Sequence, residues 1–132
     1  MNKLLLVISI ACMGVSCTSS EELEYEQYLV NGEAIYKAEC ANCHGQKGEG
    51  LRNLYPALDG NGALENSDKV ICSIKNGISA DKAKSSQAMP PNAKLFDLDV
   101  AQLVTYLNKE FGSNKDKITD KQVKMALDNC RD

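Results

Sequence analysis

The sequence predicts an all-α fold, and three observations favour it. Apolar residues recur at helical spacing in four segments, capping residues precede three of those segments, and no segment alternates apolar with polar residues as a half-buried strand would. With 132 residues, 43% of them hydrophobic, the chain suits one domain with one core. Only 5% of residues are aromatic and none is Trp, so aliphatic side chains must fill the core unless a large flat cofactor does.

The first predicted helix leads directly into a cysteine pair. Between Glu24 and Cys40, the residues Gly32, Tyr36 and Cys40 recur at intervals of four, which places them on one face and Cys40 at the end of the helix. Five Gly, Pro56 and several Asn follow between positions 45 and 62 without any period. That composition predicts an ordered loop.

Three further helices are predicted in the second half of the chain. We expect Ser67 and Asp97 to cap helices over 68–76 and 98–110, and Thr119 with Gln122 to form a capping box for a last helix. The apolar faces of these helices are Val70, Ile71 and Ile74, then Val100, Leu103, Val104 and Leu107, then Val123, Ala126, Leu127 and Cys130. Gly77 marks the end of the first of them.

The N-terminal segment has the pattern of a bacterial export signal. Lys3 precedes an apolar run that ends near position 15, which is too short to span a bilayer. Gly14, Val15 and Ser16 lead into Cys17, and this stretch resembles the lipoprotein box in which the cysteine is acylated and becomes the new N-terminus. Ordinary signal cleavage nearby is the alternative. We expect an exported protein on the periplasmic side, anchored to a membrane through lipid on Cys17.

These signals divide the chain into four parts. We expect a signal peptide at 1–16, a lipidated N-terminus with a flexible Glu-rich tether at 17–25, a main domain at 26–112, and a C-terminal extension helix within 113–132 that packs on the domain. Removing Cys12 and Cys17 from the six cysteines leaves four in an oxidising compartment: Cys40, Cys43, Cys72 and Cys130.

The pentapeptide CANCH, residues 40–44, permits several chemistries. With Cys72 and Cys130 the pair could hold zinc, although those two thiols are far apart in sequence. A redox-active dithiol usually follows a strand and begins a helix, which is the reverse of this arrangement. A plain disulfide is a third possibility. The spacing favours attachment of one haem c, in which Cys40 and Cys43 form thioethers and His44 binds the iron.

Met89 is the predicted second axial ligand of that iron. It lies in SSQAMPPNAK, outside any apolar stripe, and Pro90 and Pro91 restrict the backbone around it. A thioether in such a loop is better explained by a metal bond than by packing. Met125 falls off the apolar face of the last helix and is expected at the surface. A lysine ligand or an open coordination site is the alternative to Met89.

Together these segments resemble the class I cytochromes c over about residues 28–111. The matching motifs are Gly32 and Tyr36 before CANCHG, then YPALDGN, AMPPN and QLVTYLN, in that order. The resemblance implies that Gly32 lets the first helix cross the 97–110 helix closely, against Tyr106. It also implies that the Pro56 carbonyl accepts a hydrogen bond from His44 Nδ1. Residues 113–132 and the lack of Trp depart from the family, so the partners of the haem propionates are left open.

The two remaining cysteines suggest a disulfide that holds the C-terminal extension on the domain. Cys72 lies opposite the apolar face of its helix, and Cys130 ends the stripe of the last helix. We expect a Cys72–Cys130 disulfide that clamps the extension onto the middle helix, with two free thiols as the alternative.

His/Met ligation leaves no vacant coordination site, so the expected function is one-electron transfer and not catalysis. The expected partners are membrane oxidoreductases, dehydrogenases or terminal oxidases, which the chain would serve as a monomeric carrier or as the haem subunit of a complex. A gas sensor or peroxidase-like enzyme requires a displaceable Met89. Membrane contact would occur through the lipid anchor only, and the acidic total of -3 gives no support for nucleic acid binding.

The charge distribution suggests where partners dock. Residues 36–94 carry eight Lys or Arg against six acids, whereas residues 17–35 carry five Glu. A weak, salt-sensitive docking patch is one interpretation, and ordinary solvated lysines are the other.

Overall fold

The computed structural model describes residues 19–60, 62–83 and 87–130, and within them the fold is all-α as predicted. Its helices are α1 (Ser20–Glu39), α2 (Ala41–His44), α3 (Ser67–Asn76), α4 (Asp97–Glu110) and α5 (Asp120–Asp128). In the described ranges, extended pairing is limited to two isolated bridges, Leu51 with Tyr55 and Ile78 with Met89. No helix in these ranges is both long and apolar enough to cross a membrane.

The core forms where α1 crosses α4. A Cβ atom on Gly32 would lie 2.6 Å from Tyr106 Cβ and would also meet the Gln102 carbonyl oxygen, so only glycine permits this approach. The predicted contact of Gly32 with Tyr106 is therefore confirmed. Val100, Leu103 and Val104 of α4 are fully buried beside it, and Ile71 of α3 is nearly so.

The N-terminal boundary of the helical domain corrects one prediction. We expected a flexible tether at 17–25, but α1 begins at Ser20, because the Ser19 side chain accepts a hydrogen bond from Glu22 N and Glu21 and Glu22 favour the first turn. Tertiary contacts add to this, since Tyr25 Oη donates to the Lys115 carbonyl at 3.0 Å. The predicted signal peptide, Cys17 and residue 18 lie outside the described residues.

Two predicted helix caps are displaced by one residue. Asn66, not Ser67, caps α3 through its side chain to Lys69 N. The N-cap of α4 is Phe96, not Asp97, and Asp99 accepts a hydrogen bond from the Phe96 amide at 2.8 Å. The predicted capping box of Thr119 with Gln122 at α5 is confirmed.

The C-terminal extension packs on α1, α3 and α4. Lys117 Nζ lies 2.8 Å from Glu24 Oε2 and 5.1 Å from the centre of the Tyr28 ring. The Ile118 amide donates to the buried Thr105 hydroxyl of α4 at 3.0 Å, and Val123 of α5 is fully buried. A disulfide joins Cys72 of α3 to Cys130 just after α5, across 58 positions of sequence. Met125 is 49% exposed, as expected for a surface methionine.

Candidate haem-binding site

The predicted site residues line one cleft, whose walls are the α1–α2 junction, the loop after it, α3 and the segment around Met89. Most lining side chains are apolar. The described lining residues are Cys40, Cys43, His44, Tyr55, Pro56, Leu58, Ala63, Leu64, Lys69, Val70, Ser73, Ile74, Ile78, Ala83, Gln87, Ala88, Met89, Pro90 and Leu107. Such a lining suits a large apolar molecule with few polar groups.

The cysteine pair lies where the chain passes from α1 into the short helix α2. Cys43 N and His44 N both donate to the Cys40 carbonyl, at 3.1 and 3.0 Å, so one turn carries all three side chains into the cleft. Both thiols are free. Burial, together with Glu39 and Cys43, raises the pKa of the Cys40 thiol to about 11, so this thiol is protonated at neutral pH.

A backbone carbonyl orients the imidazole of His44. The Nδ1 atom of His44 lies 3.0 Å from the Pro56 carbonyl oxygen, which is the contact that the family resemblance implied. The Nδ1–H donates in the tautomer that leaves Nε2 free for a metal, as is common for metal-binding histidines. The His44 carbonyl in turn accepts from Gly50 N at 2.7 Å.

Gly50 allows this proximal loop to close. With φ +65, its Cβ position would fall 2.6 Å from both Ala57 N and the Tyr55 carbonyl oxygen and 2.7 Å from Pro56 C. A side chain there would push against the backbone that presents the Pro56 carbonyl to His44. The glycine-rich composition predicted a loop but did not identify which glycine performs this task.

Tyr36 ties α1 to the residues that follow the motif. Its hydroxyl donates to the Gly45 carbonyl oxygen at 2.6 Å, and its fully buried ring contacts the rings of Tyr106 and Phe111 at centroid distances of 5.7 and 5.3 Å. Burial, with the Cys40 thiol second, raises the pKa of Tyr36 to about 12. The sequence pattern predicted Tyr36 as an apolar face residue only, and gave no signal for the hydrogen bond.

Met89 reaches the cleft from the opposite side through a segment bound to the end of α3. Its amide and carbonyl pair with Ile78 at 2.9 and 2.8 Å. Gly77, with φ +74, makes the approach possible, because a Cβ there would lie 2.5 Å from the Met89 carbonyl oxygen and 2.8 Å from Pro91 N. The two prolines are evident in the sequence, but no sequence pattern indicated this pairing, which joins residues on separate segments.

Asn92 links the Met89 segment to the cysteine motif. Its amide donates to the Ile74 carbonyl at 2.8 Å, and its side-chain Nδ2 donates to Glu39 Oε2 at 3.0 Å. Glu39 directly precedes Cys40. The two walls of the cleft therefore meet at the thiol edge, a contact that no sequence pattern indicated.

The arrangement of these side chains fits a haem better than it fits a zinc ion. Cys72 and Cys130 are consumed in their own disulfide, which removes the second pair of ligands that a zinc site would need. In the described part of the chain, no cluster of three His, Cys, Asp or Glu side chains is placed to hold a metal ion. An apolar cleft with two free thiols, an oriented imidazole and a thioether matches a porphyrin iron.

Comparison with known proteins supports this assignment. Residues 29–107 match the family model described as cytochrome c oxidase, cbb3-type, subunit III. The chain is 32% identical over 106 residues to the fructose dehydrogenase cytochrome subunit of Gluconobacter japonicus; the match covers 73% of this chain but 22% of that relative.

Fold, cleft and comparisons together define a c-type cytochrome, a haem c protein of electron transfer. The chain belongs to the cytochrome c family represented by the cbb3-type subunit III model.

Proposed function

We propose that this chain carries a single covalently attached haem c and transfers one electron at a time in an exported redox chain. Cys40 and Cys43 hold the porphyrin through thioethers, and His44 and Met89 bind the iron. When bound, the haem supplies one-electron exchange between its ferric and ferrous states, and neutral thioether ligation favours the ferrous state relative to bis-histidine ligation. The chain's own residues orient the ligands and exclude water from the apolar cleft.

One observation carries this proposal, namely that residues from distant segments line the same apolar cleft. The cysteine pair and His44 enter from the end of α1, while Met89 enters from a segment held by Ile78. The 3.0 Å contact of His44 Nδ1 with the Pro56 carbonyl leaves the other imidazole nitrogen for iron. Met125, by contrast, is exposed and does not line this cleft.

The test uses the protein made in a host with export and haem-ligation machinery. We expect an intact mass that includes one haem, a Soret band, and the weak far-red band of ferric, methionine-ligated haem. Met89→Ala should keep the covalent haem and lose the far-red band, because only the distal bond is removed. The matched control Met125→Ala should retain both. A colourless mature protein, or an unchanged far-red band in Met89→Ala, would contradict the proposal.

The same measurement of intact mass also tests whether the N-terminus is acylated. We propose acylation of Cys17, which would leave only two residues, 18 and 19, between the lipid and α1. Such a short connection would hold the domain near the membrane surface. Cys17→Ser protein should lose the added lipid mass and move to the soluble fraction.

A second candidate function is that of a fixed subunit in a larger redox enzyme. The similarity to a dehydrogenase cytochrome subunit favours a dehydrogenase complex, and the cbb3-type family model favours an oxidase complex. Extraction of the native membrane in mild detergent distinguishes a subunit of either complex from a free carrier. Co-purification of a stoichiometric partner supports the subunit, and a monomer that elutes alone supports the carrier. Binding of carbon monoxide by the reduced protein would instead favour a gas sensor.

A further inference from the structure

Lys69 is an unusual member of the cleft lining. Among the described lining residues it is the only Lys, Arg, Asp or Glu. The neighbouring Asp68 lines a different groove, between α3 and α5, so it does not face the same space. No ion pair of Lys69 is found among the described residues, whereas Lys75 on the same helix donates to the Leu95 carbonyl at 2.7 Å.

The position of Lys69 on α3 places it away from the thiol edge. The C-terminal end of α3 is fixed near Cys40, because Asn92 bonds both the Ile74 carbonyl and Glu39. Lys69 lies five residues before Ile74, about 7.5 Å further along the helix axis at the usual rise per residue. In a haem the two vinyl groups and the two propionates occupy opposite edges of the ring. A ring attached at Cys40 and Cys43 would therefore direct its propionates toward the first turns of α3.

Polar groups suited to a carboxylate accompany Lys69 in the cleft. Tyr55 is half-buried and lines the cleft, so its phenol is a second polar side chain available on this lining. Ser73, one turn after Lys69, also lines the cleft, although its hydroxyl already donates to the Lys69 carbonyl at 2.8 Å. A lysine and a tyrosine in the lining of an otherwise apolar cleft match an amphiphilic ring whose only charged substituents are carboxylates.

We propose that the Lys69 ammonium, assisted by the Tyr55 hydroxyl, binds a haem propionate. The inference rests on the proposed haem site and names the residues that bind a propionate. Because the ammonium also offsets the negative charge of the propionate near the iron, it favours the ferrous state.

Zero-length cross-linking of the holoprotein tests the contact directly. A water-soluble carbodiimide activates the propionate; the Lys69 amine then forms an amide, and the carboxyl oxygen leaves with the reagent as its urea. Digestion should yield the haem peptide of residues 40–44 joined to the Lys69 peptide, lower in mass by one water than the sum of the two. Lys69→Gln should abolish this product. The charge-matched control Lys124→Gln changes an exposed lysine of α5 and should not abolish it.

The reduction potential gives an independent readout. Lys69→Gln is expected to lower the midpoint potential, Lys69→Arg to restore it, and Lys124→Gln to leave it near the wild-type value. Retention of the far-red band in Lys69→Gln would show that Lys69 does not itself bind the iron; loss of that band would overturn the proposal. A cross-link to another lysine, or an unchanged potential in Lys69→Gln, would also overturn it while leaving the haem site intact. Absence of haem from the wild-type protein would instead contradict the proposed function.

Discussion

The two walls of the cleft are held together by different kinds of contact. On the proximal wall, Cys40, Cys43 and His44 fall within five consecutive residues on one helical turn, and the Pro56 carbonyl lies 3.0 Å from His44 Nδ1. On the distal wall, Met89 depends on backbone pairing with Ile78 and on the close approach at Gly77. One helical turn therefore carries the ligands of the proximal wall, whereas the distal wall depends on backbone pairing with the residue that follows the end of α3 by two positions. We expect the distal wall to unfold first when α3 is disturbed.

Removal of the disulfide should have the largest effect and should separate the two walls. In the double variant Cys72→Ser, Cys130→Ser, the loss of a link across 58 positions should lower the free energy of unfolding by up to about 4 kcal/mol. The disulfide anchors α3, and the Met89 segment is bound to the end of α3. We therefore expect the far-red band to disappear at a lower denaturant concentration than the one at which the Soret band shifts. Denaturant titrations followed at both wavelengths check this. Simultaneous loss of both signals would contradict the difference between the walls.

Gly50→Ala should damage the proximal wall. The added Cβ would meet the backbone of Tyr55, Pro56 and Ala57 at 2.6–2.7 Å, and φ +65 is unfavourable for alanine, which together should cost about 3 kcal/mol. The control Gly60→Ala has a similar φ of +68 and nothing within 4 Å of its Cβ, so it should lose only about 1 kcal/mol. Urea unfolding measures both. Equal losses in the two variants would show that φ alone, and not contact with the Pro56 segment, is responsible.

Gly77→Ala should damage the distal wall and spare the proximal one. The Cβ would meet the Met89 carbonyl oxygen at 2.5 Å, and the exposed prolines beyond it can move, so we expect a loss of about 2 kcal/mol. The far-red band should weaken while covalent haem stays at the wild-type level. Spectra and intact mass of the same sample report the two walls separately. Loss of attached haem would mean that the walls are not independent.

Tyr36→Phe should have the smallest effect at neutral pH, about 1 kcal/mol for the hydrogen bond to the Gly45 carbonyl. The pKa of Tyr36 is about 12 in the folded state against an ordinary 10.0. Its contribution is therefore complete below pH 10 and falls as the pH rises toward 12, since the unfolded chain ionises first. Unfolding measured across this range should show a smaller decline in Tyr36→Phe than in the wild type. Parallel curves would exclude Tyr36 as the group responsible.

The fold class and most of the site were predictable from sequence because their signals are local. The helical stripes, the capping box at Thr119 and the five residues from Cys40 to His44 each express a short-range rule of backbone geometry or ligand spacing. Met89 was identified because a thioether between polar residues and prolines has no packing role.

Only the tertiary structure decided how these pieces meet. The polar composition of Ser20–Tyr25 suggested a tether, yet this segment is helical: the Ser19 cap begins the helix, and the contacts of Tyr25 and Glu24 with the extension hold it on the domain. The bridge from Asn92 to Glu39 joins residues 53 positions apart. The Ile78–Met89 pairing and the placement of Lys69 in the cleft likewise bring together residues of separate segments. Such contacts depend on which surfaces the packed helices bring together, and no local pattern carries that information.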